Sequence, residues 1–206
     1  WLAAFSILAA SVIAMTKDNL KARLAYSTIS QLSYITLGVA LASSMGILGG
    51  GLHVVMHAMG KITLFMCAGS IYVATHRTEI SQMTGLGRRM PITFIAFLIG
   101  ALSIIGLPPL GGSWSKWLLM VGAVDAEHLF ILGVLLVSSL LNVAYLLPLV
   151  AKGFFLSNDT DAELAQSAEA SPLVWGPPAA TAFGCVVLFF YAGHIQDFLM
   201  PVVATN

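Results

Sequence analysis

Residues 92–124 read "ITFIAFLIGALSIIGLPPLGGSWSKWLLMVGAV", two apolar arms around a centre of glycine and proline. The arms hold roughly 14 and 12 residues, whereas a helix needs about 20 to cross a bilayer. The stretch is therefore either two short crossings or one crossing broken at Gly106, Pro108, Pro109, Gly111 and Gly112. Charge separates these readings, because basic residues gather on the cytoplasmic side of a membrane protein. With one broken crossing, Lys17, Lys21, Arg23, Arg77, Arg88, Arg89 and Lys152 fall on one side, and the other holds no Lys or Arg. With two crossings, Lys152 moves across and the bias weakens. The single broken crossing is adopted here, with loops 76–91 and 152–172 cytoplasmic and "DAEH", residues 125–128, outside.

The rest of the chain fits that setting. Of its 206 residues 58% are hydrophobic and 9% charged, and the mean hydropathy is +0.92. A soluble domain of this length cannot hide so much apolar surface. Apolar spans are predicted at about 24–45, 50–75, 129–151 and 173–193, with a partial one at 1–16. The expected fold is all-α: a polytopic transmembrane helix bundle with one discontinuous helix. It forms a single domain over 1–206 with five complete crossings. Trp1 already lies in an apolar run with no basic segment before it, which predicts a helix cut short, not a signal peptide. Zero net charge gives no ground for a nucleic-acid partner. Cys67 and Cys185 form no C-x-x-C pair, so no metal site is expected.

Seven of the nine basic residues lie near span ends; Lys61 and Lys116 lie inside spans. A lysine at bilayer depth costs about 2.5–3.5 kcal/mol on insertion scales, so it needs a partner, water or a function. In "LHVVMHAMGKITLF", residues 52–65, His53, His57 and Lys61 follow i, i+4, i+8 spacing and share one helix face. Three proton-exchanging groups in a row have the form of a proton relay. The alternative is histidines packed in the core and bonded to backbone carbonyls. Haem or metal ligation is disfavoured, because no second histidine-bearing span faces this one and His194 falls at a predicted helix end.

Prolines and glycines at 106–112 free carbonyls near the membrane middle from helical bonding, as in the broken helices of transporters. Lys116 follows one turn later and could meet them; otherwise it snorkels to an interface. Tyr26, Ser27, Thr28, Ser30, Gln31 and Ser33 make the second span unusually polar. They suit a hydrated path, or hydroxyls bonding back to their own helix. All nine acids lie in loops or at span ends. None is placed to neutralise Lys61 or Lys116, so a counter-charge is expected from elsewhere.

"DNLKARLAYSTISQLSYI", "LHVVMHAMGKITLF", "THRTEISQMTGLGRRMP" and "GLPPLGGSWSKW" resemble, in order and spacing, the antiporter-like membrane subunits shared by Mrp-type Na⁺/H⁺ antiporters and respiratory complex I. The likeness covers roughly residues 10–155, and its wording is nearest the D-type member of the monovalent cation/proton antiporters. It implies an inverted-repeat transporter fold with a midplane chain of buried lysines, histidines and a glutamate. By motif, Lys21 matches a family lysine, although Asn19 stands where Asp is usual. His53, His57 and Lys61 match the H-x-x-x-H-x-x-x-K helix, and Lys116 matches the terminal lysine.

The resemblance implies proton translocation through Lys21, His53, His57, Lys61 and Lys116 within a multi-subunit Na⁺/H⁺ antiporter, or in a complex I-like NADH:quinone oxidoreductase. A structural scaffold subunit is the rival from another class. No catalytic residues, cofactor or metal are expected. The expected partners are other membrane subunits, an N-terminal half of the same protein, H⁺, possible Na⁺ and the lipid bilayer. The expected location is a bacterial inner membrane.

Overall fold

In the computed structural model, residues 1–156 and 168–204 are described. Their order is α1 (Leu2–Thr16), α2 (Leu20–Ala40), α3 (Ser44–Thr75), a short 3₁₀ turn (Ile80–Gln82), α4 (Leu86–Arg89), α5 (Pro91–Ile105), α6 (Gly112–Asp125), α7 (Leu129–Phe155) and α8 (Pro172–Ala204). Among the described residues the sole β feature is an isolated bridge between Asn19 and Glu79. The loop expected at 152–172 is helical to Phe155, and residues 157–167 lie outside the described residues.

Helices α3, α7 and α8 are each long and apolar enough to cross a membrane. The boundary between α2 and α3 falls earlier than the hydropathy predicts. Ser43 accepts a hydrogen bond from the Gly46 amide and starts α3 ahead of the glycine run. Helix α8 continues past the predicted end at Gly193, so His194 lies inside a helix.

The broken stretch is the centrepiece. Gly106 closes α5 in the left-handed region at φ 92°, which favours glycine, and α6 opens at Gly112. The two arms lie end to end against α3. Gly122 approaches Gly46, Leu118 approaches Gly49, Ser115 meets His53, Ile104 packs on Gly60, and Gly100 meets Thr63. As one partner number rises the other falls, so α5 and α6 run antiparallel to α3 as a single interrupted helix. At 15 and 14 residues, neither arm alone reaches the ~30 Å of a hydrocarbon core at 1.5 Å per residue.

One end of the bundle gathers the basic residues. The Gly85 amide donates to Lys152 O, Arg88 Nε to Phe154 O, and Leu20 N to Thr78 O, which ties the segments around 20, 78–90 and 152–154 together. At the other end Ser43 Oγ donates to Gly122 O, beside the acidic turn at 125–128.

Between these ends the core is layered. Near the basic end, Leu24, Leu64, Ile71, Phe94, Phe97 and Leu149 form an apolar cluster. Near the other, Ile7, Tyr34, Leu37, Leu119, Ile131 and Leu135 form a second. Eleven of the fifteen buried polar side chains among the described residues lie between them, in chain order Ser11, then Ser27, Ser30 and Gln31, then His53, His57 and Lys61, then Ser115 and Lys116, then Ser138 and Asn142. Outward faces carry exposed Leu, Val and Phe, among them Leu140, Phe183 and Phe190. An oily exterior around a polar interior suits lipid as solvent.

Candidate functional site

The polar layer is built on α3. Its i, i+4 spacing turns His53, His57 and Lys61 inward, where they are 2%, 7% and 5% exposed. Lys116, at 4%, joins them from α6. The four residues expected to carry protons in the core therefore share one buried layer.

Lys61 does not touch either histidine by a hydrogen bond. Its Nζ donates to Leu24 O at 3.3 Å and to Ser27 Oγ at 2.6 Å, both on α2. Ser27 Oγ lies 2.8 Å from the Tyr145 hydroxyl, which donates to Asn142 Oδ1. Gln31 Nε2 donates to the same Oδ1 at 3.4 Å, and Gln31 Oε1 faces His53 Nε2 at 3.2 Å. On the other side of the ring, His53 Nδ1 lies 2.9 Å from Ser115 Oγ. A continuous string thus leaves α3 at Lys61, passes through α2 and α7, and returns to α3 at His53.

His57 takes no part in that string. Its ring stacks on His53 with centroids 5.8 Å apart, and His53 stacks on Tyr34 at 5.4 Å. His57 Nε2 is buried with no hydrogen-bond partner among the described residues. An unpaired buried ring nitrogen costs roughly 1–3 kcal/mol.

The helix break accommodates Lys116. Its Nζ donates to Ile105 O at 3.1 Å, a carbonyl left free where α5 ends, and to Ser139 Oγ at 3.2 Å. The ammonium also sits 5.0 Å from the centre of the Tyr34 ring, within cation–π range. Tyr34 therefore stands between Lys116 and His53. Beside the break a cavity of 890 Å³ is lined by Lys116, Ser139, Trp114, Trp117, Leu140 and Phe189, among others. Gly111 N donates to Cys185 O and fastens the break to α8. Pro108 and Pro109 lie in the turn between the arms.

Lys21 stands apart. It is exposed, with its Nζ 5.1 Å from the Tyr72 ring centre. The cation of that turn that reaches inward is Arg23, which donates to Tyr145 O at 3.0 Å and to Lys17 O at 2.8 Å. Among the described residues neither Lys61 nor Lys116 donates to a carboxylate. Nor do any three His, Cys, Asp or Glu side chains among them gather as metal ligands.

The polar second span divides between the two roles expected for it. Ser27, Ser30 and Gln31 enter the layer, whereas Thr28 and Ser33 bond back to Leu24 O and Ile29 O. Tyr145, Asn142 and Ser139 were not singled out from the sequence. Ser138, Asn142 and Tyr145 recur at i, i+4, i+7 within an otherwise apolar span, a polar stripe that marks an inward face.

Comparison with known proteins gives consistent matches. Residues 1–142 match the family model described as NADH:quinone oxidoreductase/Mrp antiporter, TM. NADH-quinone oxidoreductase subunit N of Desulforudis audaxviator is 39% identical over 154 residues, covering 75% of this chain and 31% of the relative. A structure of the Mrp complex from Dietzia superposes with a TM-score of 0.88 at 22% identity, over 98% of this chain and 45% of that one. Respiratory complex I from Thermus thermophilus with bound NADH gives 0.85 at 26% identity, over 98% and 42%. The chain thus spans about a third to a half of the proteins it matches.

Proposed function

Because this chain belongs to the NADH:quinone oxidoreductase/Mrp antiporter transmembrane family, we propose that it moves protons through the polar layer as one subunit of a larger membrane complex. The observation that carries this reading is the burial of two lysines and two histidines in one layer without a carboxylate partner among the described residues. Charged groups at bilayer depth are costly and mark ion or proton pathways. Lys61 and Lys116 exchange protons as a coupled pair, and His53 and His57 serve the space between them. Lys21, outside the layer at the basic end, belongs to the cytoplasmic approach. Counter-charge for the lysines comes from a neighbouring part of the complex.

Two settings fit. The wording of the motifs favours a Na⁺/H⁺ antiporter. The 39% identity with subunit N of an NADH-quinone oxidoreductase favours a complex in which quinone reduction drives the proton. Both use the same residues. Proton movement in vesicles driven by NADH or by a Na⁺ gradient separates them.

The test of the common reading is Lys61→Ala in the assembled, reconstituted complex. Proton transport should disappear while assembly persists. Single changes at His53 or His57 should weaken it less, because water bridges a gap in a hydrogen-bonded file. Normal transport in an intact Lys61→Ala complex would leave the chain a packing subunit.

A further inference from the structure

The string from Lys61 to His53 looks like a wire for protons, but its chemistry contains a gap. We infer that Asn142 is a proton stop within it, and that Gln31 and Asn142 instead act as positioning residues that fix which nitrogen of His53 carries its proton. This inference rests on the proposed proton path and adds residues and a division of labour to it.

The first half of the string can conduct. A hydroxyl gives its hydrogen to one neighbour while taking another from behind, so Ser27 and Tyr145 can pass a proton from Lys61 as far as Asn142 Oδ1. Asn142 cannot pass it on. A proton arriving on Oδ1 leaves an amide only if Nδ2 releases one of its own hydrogens to an acceptor. Asn142 Nδ2 is buried with no hydrogen-bond partner among the described residues. From the other side, Gln31 Nε2 donates to the same Oδ1, so both neighbours offer hydrogens to one atom. A turned-over Asn142 would set its Nδ2 against Gln31 Nε2, donor against donor, so the pair holds the orientation in which Oδ1 accepts from both sides.

What the amides do transmit is orientation. With Nε2 of Gln31 committed to Asn142, its Oε1 faces His53, and the ring nitrogen opposite must be a donor. Neutral His53 is thereby held as its Nε2–H form, and the basic nitrogen is Nδ1. Nδ1 faces Ser115, whose hydroxyl has a second acceptor in Gly112 O at 3.1 Å. When Nδ1 is bare the Ser115 hydroxyl donates to it. When Nδ1 takes a proton it donates to Ser115 Oγ, and the hydroxyl turns to Gly112 O. The proton exchanged at His53 thus enters and leaves on the side of α6, next to Lys116, and not on the side of the string.

The test combines transport with nitrogen-15 NMR of histidine-labelled complex, the His53 signals being identified by their loss in His53→Gln. In the unaltered complex neutral His53 should give a protonated Nε2 and a bare Nδ1. Asn142→Leu releases Gln31 and should produce a mixture of the two ring forms. Transport should then fall by roughly two- to tenfold, the worth of one orienting hydrogen bond. Gln31→Leu gives the same readout should Asn142→Leu fail to assemble. Two results would overturn the inference: an unchanged ring form in both variants, or transport in assembled Asn142→Leu as low as in Lys61→Ala, which is the behaviour of a wire. The ring form is read without transport, so failure here is distinct from failure of the proton path itself.

Discussion

Lys116 closes the helix that precedes it: its Nζ lies 3.1 Å from the carbonyl oxygen of Ile105, the last residue of α5. A helix ends in carbonyls with no partner in the next turn, and those carbonyls are the negative pole of its dipole. A side chain eleven positions along the sequence returns across the break to satisfy one of them. This gives Lys116 a structural role, which can be separated from the proposed role in proton transfer.

Arginine at 116 keeps the charge and the bond to Ile105, but guanidinium does not release its proton at physiological pH. Glutamate reverses the sign and still exchanges a proton. A transfer role therefore predicts that Lys116→Arg lowers proton uptake by roughly a hundredfold or more, while Lys116→Glu retains part of it. Uptake by both variants in the same reconstituted complex decides the matter. An active arginine variant would remove Lys116 from the path.

Topology is tested by labelling. Thr84 lies among the segments of the basic end, and Ala126 in the acidic turn of the other. Single cysteines at Thr84 and Ala126 should react with a membrane-impermeant reagent from opposite faces, Thr84→Cys from the cytoplasm. Reaction from the same face would make α5 and α6 two separate crossings.

Helix α6 packs on α3 through close backbone contact. A Cβ at Gly122 would lie 2.4 Å from Gly46 N and 2.6 Å from its Cα, backbone atoms that cannot swing aside. Gly122→Ala should cost about 1–3 kcal/mol, the usual range for overpacking. A lowered Tm of the purified complex would register it. Gly133→Ala is the control, because nothing lies within 4 Å of the added carbon. Equal stability of the two variants would show that the helices are not held at this distance.

Periodicity made the α3 residues legible, because i, i+4, i+8 spacing fixes a shared face whatever the helix packs against. The interrupted helix was legible for a different reason: its arms are too short to cross alone, and Lys152 has to fall beside the other basic residues. Partners across helices were not. Lys61 bonds to Ser27 rather than to its neighbour His57, a choice made by the rotation of α2 against α3, which no spacing within one helix encodes. Lys21 illustrates the converse. Its motif singles it out, yet the side chain faces outward and Arg23 takes the inward position.

The layering of the core bears on energy conservation. A membrane that stores work as a voltage is discharged by any continuous wet pore. Here the buried lysines and histidines lie between two clusters of packed apolar side chains. Water or an ion passing straight through would have to displace packed apolar side chains in both clusters. The proposed proton transfer then requires side chains of each cluster to move in turn.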